Sequence, residues 1–250
     1  MRRIKSLKER GNEMKISIVI PCYNEGKKLY SNIKKTYEYL ISLGYEFEII
    51  VSNDGSKDNT AEEVKRIQQE FTNVILVGDS TNRGKGYAVR NGMLKSTGDI
   101  VYFMDADLST DLKAIEETIS HFDKNHVVIG TRKTKEANVV ERQPIKRFLL
   151  GRMSVKVINY IIPLNLTDTQ CGFKGFRREV IDKVFSKQTI DGFAFDVEVL
   201  YISKLLGYSI KEIPVTWEND VNSTVKVFRD SFRFFNALFK IRSNKKIYKS

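Results

Sequence analysis

The 250 residues include 42 lysines and arginines against 31 acidic residues, a formal charge of +11, and 41% are hydrophobic. That apolar content is enough for one substantial α/β core, and the charge points to an anionic partner such as a nucleotide, a phosphate, a nucleic acid or an acidic membrane face. Two histidines, His121 and His126, and two distant cysteines, Cys22 and Cys171, argue against a histidine-rich zinc site, a Ser-His-Asp triad and a disulfide framework, and favour a reducing compartment.

No run of about 18 apolar residues reads as a membrane span. The opening "MRRIKSLKERGNEMK" is charged where a secretory signal needs an apolar centre. "KISIVIP", residues 15 to 21, is a short buried strand closed by Pro21. From Glu25 to Leu43 the residues Leu29, Ile33, Tyr37 and Leu40 recur at helical spacing, and Gly44 supplies the stop. "FEIIVSNDGS" is a second strand running into a polar turn, followed by a helix opened by Asp58 with Ala61, Val64, Ile67 and Phe71 on one face. "NVILVGD" is a third strand, the segment after "NRGKG" a third helix, and "DIVYFMD" a fourth strand. Leu112, Ile115, Ile119 and Phe122 then stripe a fourth helix.

Strands that are apolar throughout and alternate with helices imply a mostly parallel, Rossmann-like sheet flanked by helices, in one α/β domain. In such sheets ligands bind beyond the carboxyl ends of the strands. The polar pieces "CYNE", "NDGS", "GDSTNRGKG" and "DADLS" would gather there. The second half is less regular. "TRKTKEANVVERQPIKR" reads as a loop, followed by a helix to Tyr160, the turn-rich "LNLTDTQCGFKGF", a helix from Phe195 to Leu206 and a strand "SIKEIPVTW". Near the end, Val227, Phe228, Phe232, Phe235, Leu238 and Phe239 approximate one helical face, with Arg229, Arg233, Lys240 and Arg242 among them. Packing on the domain and lying in a membrane plane are both open to such a helix.

Asp105 and Asp107 stand at i and i+2 where the fourth strand ends. In extended chain they face one side, about 7 Å apart along the backbone, where two bare carboxylates repel unless a divalent cation lies between them. A D-x-D tripeptide alone could equally end a strand and cap a helix.

The ordered set "VIPCYNE", "VSNDGSKDNT", "NRGKGYAVRNG", "DADLS" and "GTR" resembles the family 2 glycosyltransferases of the GT-A fold, from about Lys15 to Arg132. "DTQCGFKGF", "GFAFDVEVLY" and "KEIPVTWENDVNSTVK" extend the likeness to the dolichyl-phosphate glucosyltransferase branch, relatives of bacterial polyprenyl-phosphate glycosyltransferases, over roughly residues 15 to 227. The charged opening over 1–14 reads as a basic arm or as extra residues before a start at Met14, and the C-terminal periodicity gives a basic amphipathic helix and tail over 226–250; the resemblance implies a GT-A domain over 15–225 with a donor half (15–132) and an acceptor half (133–225).

It further implies an inverting transfer of a hexose, glucose from UDP-glucose, to a polyprenyl or dolichyl phosphate, with Mg²⁺ or Mn²⁺ as cofactor. Pro21, Tyr23, Glu25, Asp54, Lys85 and Asp105 would then bind the donor, Asp54 accepting from a base N–H. Asp105, Asp107 and Ser109 would bind the metal, and Arg132, Arg177 and Lys226 the acceptor phosphate. Asp168 and Asp196 are the candidate bases, with Arg132 the third catalytic candidate. Because a phosphate monoester is already anionic at neutral pH, a base is nearly dispensable for that acceptor. With no histidine nearby in sequence, Cys171 is a poor nucleophile candidate.

Residue 53 is Asn where many relatives have Asp. Eukaryotic members of the branch usually carry an N-terminal membrane anchor, and no such segment is read here. The expected location is therefore cytoplasmic and peripheral, held to an anionic membrane face by basic surface and the amphipathic helix. The sequence leaves open the oligomeric state and a rival acceptor, a hydroxyl of a cell-surface glycan. A nucleic-acid-binding role is disfavoured, because the basic residues are scattered and the acidic pair would repel phosphate.

Overall fold

The computed structural model describes residues 14–140, 155–218 and 227–249, with side chains in the last segment described from residue 233. Four strands, β1 (Lys15–Cys22), β2 (Glu46–Asp54), β3 (Val74–Asp79) and β4 (Ile100–Met104), alternate with helices α1 (Gly26–Leu43), α2 (Thr60–Glu70) and α3 (Lys85–Lys95). Helix α4 (Lys113–Ile119) leads to β5 (Val127–Thr131) and the two-residue β6 (Asn138–Val139). After a helical stretch at 155–161 come β7 (Phe173–Arg177), α5 (Arg178–Phe185), α6 (Phe195–Leu205), β8 (Ile210–Pro214) and β9 (Thr216–Trp217). Helices α7 (Val227–Ser243) and α8 (Lys245–Lys249) complete the described chain.

Seven strands form one sheet in the order β3-β2-β1-β4-β7-β5-β8. All neighbouring pairs are parallel except those of β7, which runs antiparallel to both β4 and β5. Both faces are covered, which explains why the strands are apolar at nearly every position. Ile16, Ile18, Ile20, Ile49, Tyr102 and Phe173 point to one side, where Leu29, Ile33 and Leu40 of α1 and Val64 and Ile67 of α2 pack. Val19, Ile50, Phe103 and Phe176 point to the other, against Val89 and Met93 of α3, Val180 and Val184 of α5 and Phe195 of α6. Each fully buried side chain of this size contributes about 1.5–3 kcal/mol.

Three expectations change here. "GFKGF", read as part of a turn, is the buried strand β7, in which Phe173 and Phe176 are fully enclosed. Local turn residues around it hid a strand only five residues long. Met14, assigned to the basic arm, is fully buried in the core, so the fold begins at or before it; residues 1–13 lie outside the described residues. The expected loop from Thr131 contains β6, which pairs with β9; its portion from 141 lies outside the described residues, as does the expected boundary at 225.

The amphipathic C-terminal stripe packs on the domain: Leu238 and Ile241 of α7 and Tyr248 of α8 are fully buried, whereas Phe239 is 62% exposed. Val227, Phe228, Arg229 and Phe232 have side chains outside the description. No helix among the described residues is long and apolar enough to cross a membrane.

Candidate active site

The carboxyl ends of β1, β2, β4 and β5 and the amino end of the reversed β7 share one sheet edge, because Phe173 pairs with Met104. The loop after β1 is laced to the loop after β2. Asn24, in a left-handed conformation (φ 58°), accepts from the Lys57 amide at 2.8 Å, and the amides of Glu25 and Gly26 donate to Thr60 Oγ1 and Asp58 Oδ2 at 3.0 and 3.1 Å. Pro21 is buried beside them, and Tyr23 is 46% exposed at the rim.

Asp54 ends β2 almost fully buried. Its Oδ1 accepts the backbone N–H groups of Arg83 and Gly84 at 2.8 and 3.1 Å; its Oδ2 accepts from Gly84 N and Asn82 Nδ2 at 2.9 and 3.0 Å. The carboxylate therefore clasps the loop that presents Lys85, through donors from residues 82–84 to both of its oxygens.

Lys85, the first residue of α3, lays its ammonium 2.6 Å from Asp105 Oδ1. Burial alone would lower the lysine's pKa, but Asp105 and then Asp196 hold it above its ordinary value. Asp105 is also fixed through its amide, which donates to Gly172 O at 3.1 Å. Gly172 has no room for a side chain: a Cβ there would lie 2.0 Å from Asp105 Oδ2. Asp107 follows, its Oδ1 accepting the Ser109 amide at 2.9 Å across Leu108, which adopts φ 54°. Gly172→Ala is expected to displace Asp105 and reduce turnover by about 10²-fold, the cost typical of a 1 Å misplacement. Steady-state kinetics alongside a thermal melt would check this, because the chain should still fold.

Two hard carboxylates one residue apart, in a spot where a cation already rests, suit Mg²⁺ or Mn²⁺ better than a softer metal. Among the described residues no cluster of three metal-ligating side chains exists, so such an ion would need further oxygens from its ligand. Asp105 and Asp107 are the residues that could hold it. Ser109 contributes its amide to Asp107, and its carbonyl accepts the Glu218 amide at 2.8 Å.

Asp168 is fully buried and bound two ways by Arg132, which directly follows β5: Nε to Oδ2 at 2.7 Å and Nη2 to Oδ1 at 3.0 Å. The Arg132 amide adds 3.1 Å to Oδ2, and Lys133 Nζ lies 4.0 Å from Oδ1. Burial would raise the Asp168 pKa, but the Arg132 charge and hydrogen bonds hold it below the ordinary carboxylate value. The guanidinium lies 5.3 Å from the centre of the Trp217 ring. Asp196, at the start of α6, accepts from the fully buried Lys174 at 2.5 Å; burial shifts its pKa upward, with Lys174 and Lys85 opposing. Desolvation also pushes the Cys171 thiol up to about 11 and the Cys22 thiol up to about 12, so neither is a thiolate at neutral pH.

The fold thus gathers Lys85, Asp105, Asp107, Ser109, Arg132, Asp168 and Asp196 on one side of the sheet. Arg177 does not join them. It pairs with Ile100 at the start of β4, on the opposite sheet edge, and its Nε donates to Phe122 O at 2.8 Å. The reversal of β7 is what carries Arg177 away from the other expected site residues. Lys226 lies outside the described residues. Sequence reasoning missed Lys174, which the alternation Phe173-Lys174-Gly175-Phe176 would have marked once the segment was read as a strand. It also missed Glu212, which accepts from the amides of Thr167 and Asp168 at 2.9 and 3.0 Å.

The profile described as "Glycosyl transferase family 2" matches residues 17–185. A dolichyl-phosphate beta-glucosyltransferase of Trichomonas vaginalis is 35% identical over 224 residues, which is 85% of this chain and 68% of the relative. The human dolichyl-phosphate beta-glucosyltransferase is 32% identical over 216 residues, covering 81% of this chain and 67% of the relative. Among solved structures, glucosyl-3-phosphoglycerate synthase from Mycobacterium tuberculosis, in complex with Mn²⁺ and UDP-glucose, superposes with a TM-score of 0.68. Its identity is 16%, with 97% of this chain and 85% of that one covered. With the reversed strand between β4 and β5, the sheet is of the GT-A type. By sequence and fold together, the chain belongs to glycosyl transferase family 2 and is a glycosyltransferase.

Proposed function

We propose that this enzyme moves glucose from UDP-glucose to the phosphate of a polyprenyl or dolichyl carrier, with inversion at the anomeric carbon. The donor reading is supported by the acidic pair at the carboxyl end of β4 beside Lys85. It is also supported by the named activity of the relatives and by the Mn²⁺ and UDP-glucose held by the structural neighbour. Asp105 and Asp107 would hold Mg²⁺ or Mn²⁺, which when bound offsets charge growing on the departing diphosphate. Lys85 aims Asp105 through their 2.6 Å contact, and Pro21, Tyr23 and Glu25 border the nucleoside.

The acceptor oxygen attacks the anomeric carbon as the bond to UDP breaks, and UDP leaves. One observation carries the acceptor: Asp168 is spent on Arg132 through both oxygens. A carboxylate so held, with its pKa lowered, is a weak proton acceptor; Asp196 gives one oxygen to the buried Lys174. A hydroxyl acceptor needs a base in this site, whereas a phosphate monoester brings its own anionic oxygen. Arg132, fixed by Asp168, and the neighbouring Lys133 are the basic groups that would meet that phosphate. Membrane contact on an anionic, cytoplasm-facing surface is the companion reading. It is supported by the exposed Phe239 on the basic helix α7 and by Tyr160, 88% exposed, on the helical stretch that Arg242 reaches through Ile161 O.

The test supplies UDP-[¹⁴C]glucose and Mn²⁺ with a polyprenyl phosphate, the matching unphosphorylated polyprenol, or soluble glycans. Label should move into the organic phase only with the lipid phosphate. Label carried by glycans and absent from lipid would establish the hydroxyl-acceptor reading instead.

A further inference from the structure

Glu198 of α6 is fully buried and makes no ion pair among the described residues. A buried carboxylate without a cation must be satisfied by donors, and here four converge. Its Oε1 accepts from Thr189 N at 2.9 Å, Thr189 Oγ1 at 2.7 Å and Tyr248 Oη at 2.6 Å; its Oε2 accepts from Ile190 N at 2.8 Å. Tyr248 belongs to α8, is itself fully buried, and is braced edge-on against Tyr201. Thus a hydroxyl from α8 and the turn at 188–191 meet on one side chain.

That turn is the seat of Lys85. Asp191 O accepts the Gly86 and Tyr87 amides at 2.7 and 3.2 Å, capping the first turn of α3. Gln188 Nε2 donates to Gly86 O at 2.8 Å, and Arg90 Nη1 donates to Gln188 O at 2.8 Å. The approach is so close that a Cβ on Gly84 or Gly86 would come within 2.5 or 2.6 Å of the carbonyls of Asp191 and Ile190. Anything that shifts the turn therefore shifts Lys85, whose ammonium holds Asp105.

We propose that Tyr248 is a positioning residue for the donor site, acting through Glu198 and the 188–191 turn to set Lys85 against Asp105. The assignment rests on the reading of Lys85 and Asp105 as donor-binding. It makes α8, which directly follows the basic helix α7, a structural part of a site whose other residues come from the sheet edge.

The test uses the full chain with Tyr248→Phe, which keeps the ring, and Thr189→Val, which removes a second donor from Glu198. Tyr102→Phe is the control: it deletes a buried hydroxyl bonded to Thr118 on the far face of the sheet. Hydrogen exchange at the Gly86 and Tyr87 amides should accelerate about 10-fold in the first two variants and stay unchanged in the control. The donor KM should rise about 5-fold with kcat within about two-fold, the pattern of lost ground-state binding. Unchanged exchange, or faster exchange with an unchanged donor KM, overturns the proposal. If the unaltered protein binds no UDP-sugar, the donor reading fails, and the positioning role falls with it even where exchange accelerates.

Discussion

Asp107→Ala is expected to lower transfer from UDP-glucose by about 10³-fold, with little change in the melting temperature. Asp107 is half-buried, and its one hydrogen bond among the described residues is to the Ser109 amide, so its removal leaves no buried group stranded. Among the described residues, its carboxylate and that of Asp105 are the two at the end of β4 that could face a dication. Losing it removes charge stabilisation where the leaving diphosphate develops, the kind of term worth several kcal/mol. Chelation of the unaltered enzyme should produce a loss of similar size, reversed by adding Mg²⁺ or Mn²⁺, whereas the variant should not recover. Full activity in EDTA would remove the metal from the mechanism.

The second large effect concerns stability. Asp168→Ala leaves Arg132 without its partner in a mostly buried position, and breaking such a pair from one side costs about 3 kcal/mol. For a chain of this length that corresponds to a fall in melting temperature of about 6–12 °C. Asp168→Asn keeps the shape and part of the hydrogen bonding, so it should fall between the two. Measured with a lipid phosphate acceptor, turnover by the Asn variant should remain within about 10-fold of the unaltered enzyme, because no general base is being removed. A much deeper loss, with the fold intact, would restore Asp168 as a base.

The same pair predicts acid sensitivity. The folded pKa of Asp168 lies below its ordinary value of 3.8, so its contribution is complete above that pH. It is lost progressively as pH falls below 3.8 and through the depressed folded value. The unaltered protein should therefore lose more stability across that acid window than Asp168→Asn does, a difference that denaturant melts at stepped pH would read.

Much of the donor half was legible because the signals there are local. Apolar runs, helical spacing and glycine or Asx turns are set by backbone geometry within a few residues, and they located β1 to β4 and α1 to α3. The acidic pair could be placed at a strand mouth for the same reason. Other features were decided by contacts between distant residues. A period-two pattern reads the same in either direction, so nothing in "GFKGF" announced that β7 runs backwards between β4 and β5. That reversal alone brings Gly172 against Asp105 and carries Arg177 to the opposite edge.

Which charges neutralise one another was equally hidden. Arg132 and Asp168 are 36 residues apart, and Lys174 and Asp196 are 22 apart. Asp54 could be singled out as a polar strand end, but only the folded loop shows that four hydrogen bonds from residues 82–84 converge on its oxygens. The sequence by itself determined the family, the sheet-and-helix alternation and the acidic strand end, since each depends on neighbours along the chain. Tertiary structure alone decided strand direction, ion-pair partners and which carboxylates remain open, because these depend on what the sheet brings side by side.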